Sequence, residues 1–374
     1  MTRTVVILAV TAAVALLLTI LLGATHDYPA YVDQWRLVLD GLDPWSTDNA
    51  YGPLHNAFAL LVPLHPLAPK ILTVAAMLIA NGLLVLRLER LRPFAEWRTV
   101  YFSVFAANAL ILICGIWYGN NDVFVAALVM GAVLARLDRR VVLGGMLLGL
   151  ATLDKYYPLL LVPFFALDAR SFNTRLTLSA LLTVGAGLGA GIVLWGNDFL
   201  EALRFGVGRD ATILSILRPI VGIGRDLGIA RYTDLLVLYN GPVLLLVWLL
   251  AFVFAWRRRD SWLVSASWGF FALLLTYKVG HQQFWVTWLA LVACLSLLGT
   301  PEADRLARVS LPFATFLSVF QLGFALIHPT YYRGGLHFIP NYIGFVSFAL
   351  GIWTLWRFLR PGAAAATAAS RPRA

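Results

Sequence analysis

The sequence predicts an all-α polytopic membrane protein, a bundle of about 10–12 transmembrane or half-spanning helices, and composition and charge placement carry that prediction. Apolar residues make up 60% of the 374 positions and charged residues 13%, against roughly 45–50% and about 25% in soluble domains. Such a surface is solvated by lipid. Arginine recurs in short clusters between apolar stretches instead of forming one patch. The net charge of +10 therefore reads as the positive-inside bias of a membrane protein, and no nucleic-acid partner is expected.

Taken in order, residues 5–23 carry no charge, enough at about 1.5 Å per residue to cross a hydrocarbon core of about 30 Å. Ala24-Thr25-His26 is a poor cleavage site, so this stretch reads as a retained helix and not as a signal peptide. Further apolar spans cover residues 69–86, 99–116, 123–135, 141–153, 158–167, 176–195, 235–256, 262–277, 284–298, 311–327 and 342–358. The pair 141–153 and 158–167 is too short to cross twice. It reads as a kinked or re-entrant hairpin whose tip sits in a protein-lined cavity, because irregular backbone cannot face lipid. Cys114 and Cys294 lie inside apolar spans as small hydrophobes. The chain divides into one membrane domain, residues 1–360, and an Ala-, Pro- and Arg-rich tail, residues 361–374, expected to be disordered and cytoplasmic.

Topology follows from arginine. With the N-terminus inside, Arg87, Arg90, Arg92, Arg98, Arg136, Arg139, Arg140, Arg257, Arg258, Arg259, Arg305, Arg308 and the tail fall inside, and the first loop, residues 24–68, falls outside. So does the loop 196–234, where Arg204, Arg209, Arg218, Arg225 and Arg231 break the pattern and suggest a phosphate-binding role for one or two of them. All three lysines, Lys70, Lys155 and Lys278, also lie on the outer side.

Polar clusters repeat on that face. They are His26-Asp27-Tyr28-Pro29-Ala30-Tyr31-Val32-Asp33, Tyr118-Gly119-Asn120-Asn121-Asp122, Asp154-Lys155-Tyr156-Tyr157-Pro158 and Tyr277-Lys278-Val279-Gly280-His281-Gln282-Gln283-Phe284. Ionisable groups at membrane depth are costly and line substrate paths. Their plain alternative is a set of short loops wetting the surface, with Asp27 a helix cap before Pro29 and His281 a satisfied loop histidine. Asp40, Asp43 and Asp48 read as solvated charges, and His55, His65, His328 and His337 as satisfied histidines. Trp35 and Trp45 suit a lipid interface as well as a sugar. Between residues 31 and 42, Tyr31, Trp35, Leu37, Val38 and Leu42 share one helical side while Asp33, Gln34, Arg36 and Asp40 face water, which predicts an interfacial helix roofing the cavity.

No phosphate-binding glycine loop, paired-histidine metal motif or nucleophile elbow is present, so neither metal nor cofactor is expected. The inside loops are short and the tail is of low complexity, so no cytoplasmic nucleotide-binding domain is expected. A lipid-linked donor reaching the outer face fits, with a carboxylate taking a proton from an acceptor hydroxyl while cations hold a lipid phosphate. A lipid-linked-substrate transporter or flippase is the second reading, favouring inverted repeats and mid-span charges; a non-catalytic subunit is the third.

Asp27-Tyr28-Pro29-Ala30-Tyr31-Val32-Asp33, Gly41-Leu42-Asp43-Pro44-Trp45, Ala50-Tyr51-Gly52-Pro53-Leu54, Gly119-Asn120-Asn121-Asp122, Lys155-Tyr156-Tyr157-Pro158 and Lys278 to Trp285 resemble, in order, the loops of GT-C-fold glycosyltransferases that use polyprenyl-phosphate sugars. Within that fold the chain looks most like the GPI mannosyltransferase I catalytic subunit and the bacterial polyprenol-phosphate-mannose-dependent mannosyltransferases. The resemblance implies a GT-C-type bundle and an inverting, metal-independent transfer of a hexose, foremost mannose, from polyprenyl phosphate to an extracytoplasmic glycolipid or glycan. It makes Asp27 the general base and Asp33 a second acid that binds acceptor or supports the first, leaving open which of them deprotonates. Lys278, His281 and Lys155 fall near the donor phosphate, joined by Arg209 of the outer loop. Asn120, Asn121, Asp122, Tyr31, Tyr51 and Gln283 are assigned to sugar or acceptor. The Tyr51-Gly52-Pro53 sequence departs from the family's Tyr-x-Pro-Pro pattern.

Overall fold

The computed structural model describes residues 2–47, 49–91, 96–168, 171–196, 198, 200–334 and 338–360. The predicted tail at 361–374, Asp48, His337 and the side chain of His328 lie outside the described residues. The protein is an all-α polytopic membrane protein. Among the described residues six helices are long and apolar enough to cross a membrane, seven when one bent pair counts as a span, and four shorter apolar helices accompany them.

Helix α1 (Thr2–Leu21) holds most of the uncharged span predicted at 5–23, with Arg3 in its first turn, and α2 (Tyr28–Leu39) follows with a proline in its first turn. Tyr28, Tyr31, Val32, Gln34 and Trp35 form the buried side of α2. This is the amphipathic helix expected from residue 31 onward, begun a turn earlier. Gln34, expected to face water, is turned inward because its side chain meets buried His55, with Oε1 and Nε2 3.1 Å apart. A buried amide is tolerated when paired. The first loop continues as α3 (Pro53–Ala57) and a 3₁₀ turn at Phe58–Leu61 before α4 (Ala68–Leu91).

The span expected over 99–116 is not straight. It runs as α5 (Glu96–Tyr101), a π segment Phe102–Ala106, α6 (Ala109–Leu112) and a second π segment Ile113–Tyr118, bent by 43° at the break. Asn108 causes the break: its Oδ1 accepts from Leu110 N at 3.0 Å and its Nδ2 donates to Ala314 O at 3.0 Å. A side-chain amide thus replaces the helical partners lost at the kink.

Helices α7 (Asp122–Leu137) and α8 (Val141–Asp154) pack together, and a 3₁₀ turn at Tyr157–Leu161 leads into α9 (Val162–Ala166). The half-length hairpin predicted at 141–167 is therefore present. A two-residue antiparallel pair, β1 (Leu167–Asp168) with β2 (Ser171–Phe172), precedes α10 (Thr174–Trp195). Small residues let α8 and α10 approach: a Cβ on Gly145 would lie 1.9 Å from Ser179 Oγ. Close backbone approach through glycine is how membrane helices gain packing where lipid supplies no hydrophobic drive.

The stretch 196–234, expected as an external loop, holds three short helices, α11 (Leu200–Gly208), α12 (Leu217–Asp226) and α13 (Ala230–Leu238). The span expected to begin at residue 235 is interrupted at Tyr239 and restarts as α14 (Asn240–Arg258). Helices α15 (Trp262–Thr276) and α16 (Trp285–Leu295) are buried almost throughout and form the centre of the core with α7. Helices that are apolar all round belong inside. Helices α17 (Pro301–Val309), α18 (Leu311–Gly334) and α19 (Phe338–Leu359) complete the bundle.

Two sets of connections gather separately. Arg258 reaches Glu302 and the Leu359 carbonyl, Arg305 donates to the carbonyls of Arg357 and Phe358, and Arg87 pairs with Asp138. In the other set, Lys70 Nζ donates to Gly23 O at 2.7 Å and Trp117 O at 2.8 Å, Gly52 N donates to Asp154 O at 3.0 Å, and Thr212 N donates to Lys278 O at 3.0 Å.

Candidate active site

The second set converges on Asp27. Between α1 and α2 the chain makes two left-handed residues, Gly23 (φ 64°) and His26 (φ 57°). For histidine that conformation is uncommon and strained. It is held by stacking of the His26 ring on Tyr118, with centroids 4.1 Å apart and planes at 22°. The strained turn places His26 Nδ1 3.0 Å from Asp27 Oδ1. Asp27 occupies the backbone N-cap position of α2 but makes no side-chain capping bond, so its carboxylate is not consumed by the helix. The side chain is about half exposed, 46%. Burial pushes the Asp27 carboxyl up, but the His26 contact and charge, helped by His281 and Lys155, outweigh it and hold the group below its ordinary value.

Beneath Asp27 lies an aromatic floor. Tyr28, Tyr31 and Trp35 of α2 pack on Tyr51, His55 and Phe58, and the Tyr31 and Tyr51 hydroxyls are 2.6 Å apart. His55 is fully buried and its ring is stacked on Tyr51 at 4.4 Å. One ring nitrogen meets Gln34 and the other Asn121. Burial and the Lys155 charge push His55 down to about 3. It is the satisfied structural histidine that the sequence suggested.

Cations face this floor from other elements. At the tip of α8, Lys155 Nζ lies 2.6 Å from Asp122 Oδ2, 4.6 Å from the Phe284 ring centroid and 5.1 Å from that of Tyr51. Tyr157 donates to Asp122 Oδ1 at 3.2 Å and meets Thr287 Oγ1 at 2.8 Å. Asp122 is wholly buried, so Lys155 and Tyr157 together neutralise and satisfy it. Across the site, Arg209 Nη2 donates to His281 Nε2 at 2.7 Å. Burial, then Arg209 and Lys155, push His281 down to about 3. A neutral imidazole is the form that can accept from a guanidinium. Lys278 lies on the same crossing, its own N–H bonded to Asn240 Oδ1 at 2.8 Å; burial lowers its pKa, with Asp210 partly offsetting.

The structure thus brings together most residues singled out from the sequence. Asn121 reaches His55, and Asn120 Nδ2 donates to Gln283 Oε1. Asp33 is the exception. Its side chain is 70% exposed on the outer face of α2, paired with Arg36 at 3.0 Å, so it supports neither Asp27 nor the floor. Of the outer-loop arginines, Arg204 pairs with Glu201 on the surface and Arg225 and Arg231 are exposed. Sequence reading gave His26, Asp154 and Tyr157 no role of their own. Tyr157 could have been found by its place beside Lys155, whereas the role of His26 depends on a backbone conformation that no motif announces. Both carboxyl oxygens of buried Asp154 lack a hydrogen-bond partner among the described residues. No group of three or more histidine, cysteine, aspartate or glutamate residues is set to hold a metal ion among the described residues.

The family model of glycosyltransferase family 87 matches residues 50–301. The chain belongs to glycosyltransferase family 87. No curated protein and no solved structure matches it. The match spans Tyr51, Asn120, Asn121, Asp122, Lys155, Arg209, Lys278, His281 and Gln283, while Asp27, Tyr31 and Asp33 precede it. This family 87 protein is therefore a membrane glycosyltransferase, which takes a sugar donor and an acceptor, and the transporter reading is set aside.

Proposed function

We propose that this family 87 chain transfers a hexose, foremost mannose, from polyprenyl phosphate to a glycolipid or glycan on the extracytoplasmic face, inverting the anomeric centre. The carrying observation is an ionised, half-exposed Asp27 facing Lys155 and the Arg209–His281 pair. The acceptor hydroxyl attacks the anomeric carbon, its proton passes to Asp27, and the bond to the phosphate oxygen breaks with its electron pair left on the phosphate. A single displacement inverts the centre. A phosphate leaving group needs no acid, so cations are the help it requires. Arg209 offers the planar donor set suited to a phosphate, and Lys278 a second positive charge. His281, being neutral, orients Arg209. Tyr31, Tyr51, Asn120 and Gln283 line the sugar or acceptor side. The sidedness of Arg and Lys supports the outer placement, and the ordered resemblance of the loops supports the lipid-linked mannose donor.

Asp33 serves acceptor binding at most, because it faces away from the floor. The test is transfer from labelled polyprenyl-phosphate mannose by purified protein in detergent. Asp27→Asn abolishing product while Asp33→Asn retains it supports the assignment; equal activity of Asp27→Asn and wild type sinks it.

A further inference from the structure

Of the three lysines, Lys70 takes no part in the transfer chemistry, yet it is the most deeply buried, at 0% exposed. A buried ammonium is costly to desolvate. Here its hydrogen bonds go to no carboxylate among the described residues: Nζ donates to Gly23 O at 2.7 Å and to Trp117 O at 2.8 Å. Methionine would fill the space without that cost, so the charge answers to the two carbonyls. Both are at helix ends. Gly23 follows the last turn of α1, its N–H still bonded to Ile20 O at 3.2 Å, and Trp117 is the penultimate residue of the second π segment. Each end is broken off by a left-handed glycine, Gly23 itself (φ 64°) and Gly119 (φ 70°). The last carbonyls of a helix lack partners within it and carry its negative end, and one ammonium set between two such ends satisfies both. Gly119 also leaves room for the lysine stem: a Cβ there would lie 2.9 Å from Lys70 Cγ and 2.9 Å from Tyr28 Cδ2.

This clamp brackets the turn that carries Asp27. Before the turn, Lys70 holds Gly23. After it, the Tyr28 hydroxyl accepts from Lys70 N at 3.1 Å and donates to Pro66 O at 2.8 Å. Between them Thr25 Oγ1 donates to the same Trp117 O at 2.8 Å, and His26 stacks on Tyr118, the residue after Trp117. Residues 23, 25, 26 and 28 are thus each tied to α4, to the chain just before it or to residues 117–118, and Asp27 stands where those ties leave it. The Lys70 ammonium is spent on backbone, so it reaches Asp27 through the chain and not by its own charge.

We infer that Lys70 is a positioning residue for the proposed base: its ammonium clamps the two helix ends on either side of the His26–Tyr118 stack and so fixes Asp27 against His26. The inference rests on the reading of Asp27 as base and adds to it the residue that sets its place.

The test is a series of full-length variants in detergent with labelled polyprenyl-phosphate mannose: Lys70→Met, His26→Ala, the two combined, and Asp27→Asn as control. Lys70→Met lowers kcat by about 10–10² and leaves KM for the donor within about twofold, because Lys155 and the Arg209–His281 pair stay in place. Its acid limb moves to higher pH, as that of His26→Ala does, which a loss of fold stability alone would not produce. In the His26→Ala background Lys70→Met lowers kcat no further. A wild-type kcat and acid limb in Lys70→Met, or losses that multiply in the double variant, overturn the inference. Asp27→Asn at the wild-type rate, or a wild-type protein that transfers nothing, removes the base reading instead. Hydrogen exchange then decides whether Lys70 holds the turn: in Lys70→Met the amides of residues 23–28 exchange about tenfold faster while those of 141–154 are unchanged, and equal exchange in both segments overturns the clamp. Where Lys70→Met does not fold, Thr25→Val, which cuts the second bond to Trp117 O, is read in its place with the same supporting and overturning results.

Discussion

His26 and Asp27 make a two-residue device in which a strained backbone fixes the distance between an imidazole and a carboxylate. Because the folded Asp27 is held below its ordinary value, the proposed base stays ionised as pH falls until that depressed value is reached. The acid limb of kcat/KM therefore lies below about pH 4. His26→Ala removes the leading opponent of burial, so the limb moves to higher pH; an unchanged profile in a pH–rate series would show that His26 does not act on Asp27. Asp27→Asn lowers kcat by about 10²–10⁴, measured in single-turnover assays, while Asp33→Asn, already solvated and paired with Arg36, stays within about twofold. Asp27 and the Lys155 and Lys278 loops were legible because ionisable residues at span ends are rare in so apolar a chain. The outward placement of Asp33 was not legible, because two acids in one loop look alike until the phase of α2 is known. The role of His26 was hidden, since left-handed φ and a stack on Tyr118 leave no trace in spacing.

Two elements join the loops into one site. Gly52 is pressed against the α8 tip: a Cβ there would sit 2.2 Å from Leu153 O, and its N–H already donates to Asp154 O. This gives a reason for glycine at the position that the resembled Tyr-x-Pro-Pro pattern leaves open. Gly52→Ala drives the first loop off the Lys155 hairpin, and thermal unfolding in detergent should show a loss of about 1–3 kcal/mol, accompanied by weaker donor binding. Asn108→Ala removes both the cap and the tie to Ala314, costing about 0.5–2 kcal/mol by the same measurement. The first span, the half-length hairpin and the buried core helices could be read from apolar length alone. The bend at Asn108 could not, because its partner stands 206 residues away and a single asparagine in an apolar run resembles any other tolerated polar residue. Helices α11, α12 and α13 are hidden for a different reason: their arginines point toward a phosphate-binding external loop and carry no clear helical period.

Across the molecule, arginine-rich connections tie to one another and the Asp27, Lys155 and His281 connections tie to one another. Charge asymmetry predicts that the latter set faces outward. In spheroplasts treated with an impermeant maleimide, Asp43→Cys should be labelled from outside and Arg139→Cys only after lysis; the reverse pattern would invert the topology and move the proposed site to the cytoplasm. The wild-type chain suits that measurement. Its native thiols, Cys114 and Cys294, are 1% and 0% exposed, sealed inside the bundle where no aqueous reagent reaches them. The protein is thereby its own blank, and any engineered reporter thiol can be read against a naturally silent background without first stripping cysteine from the core.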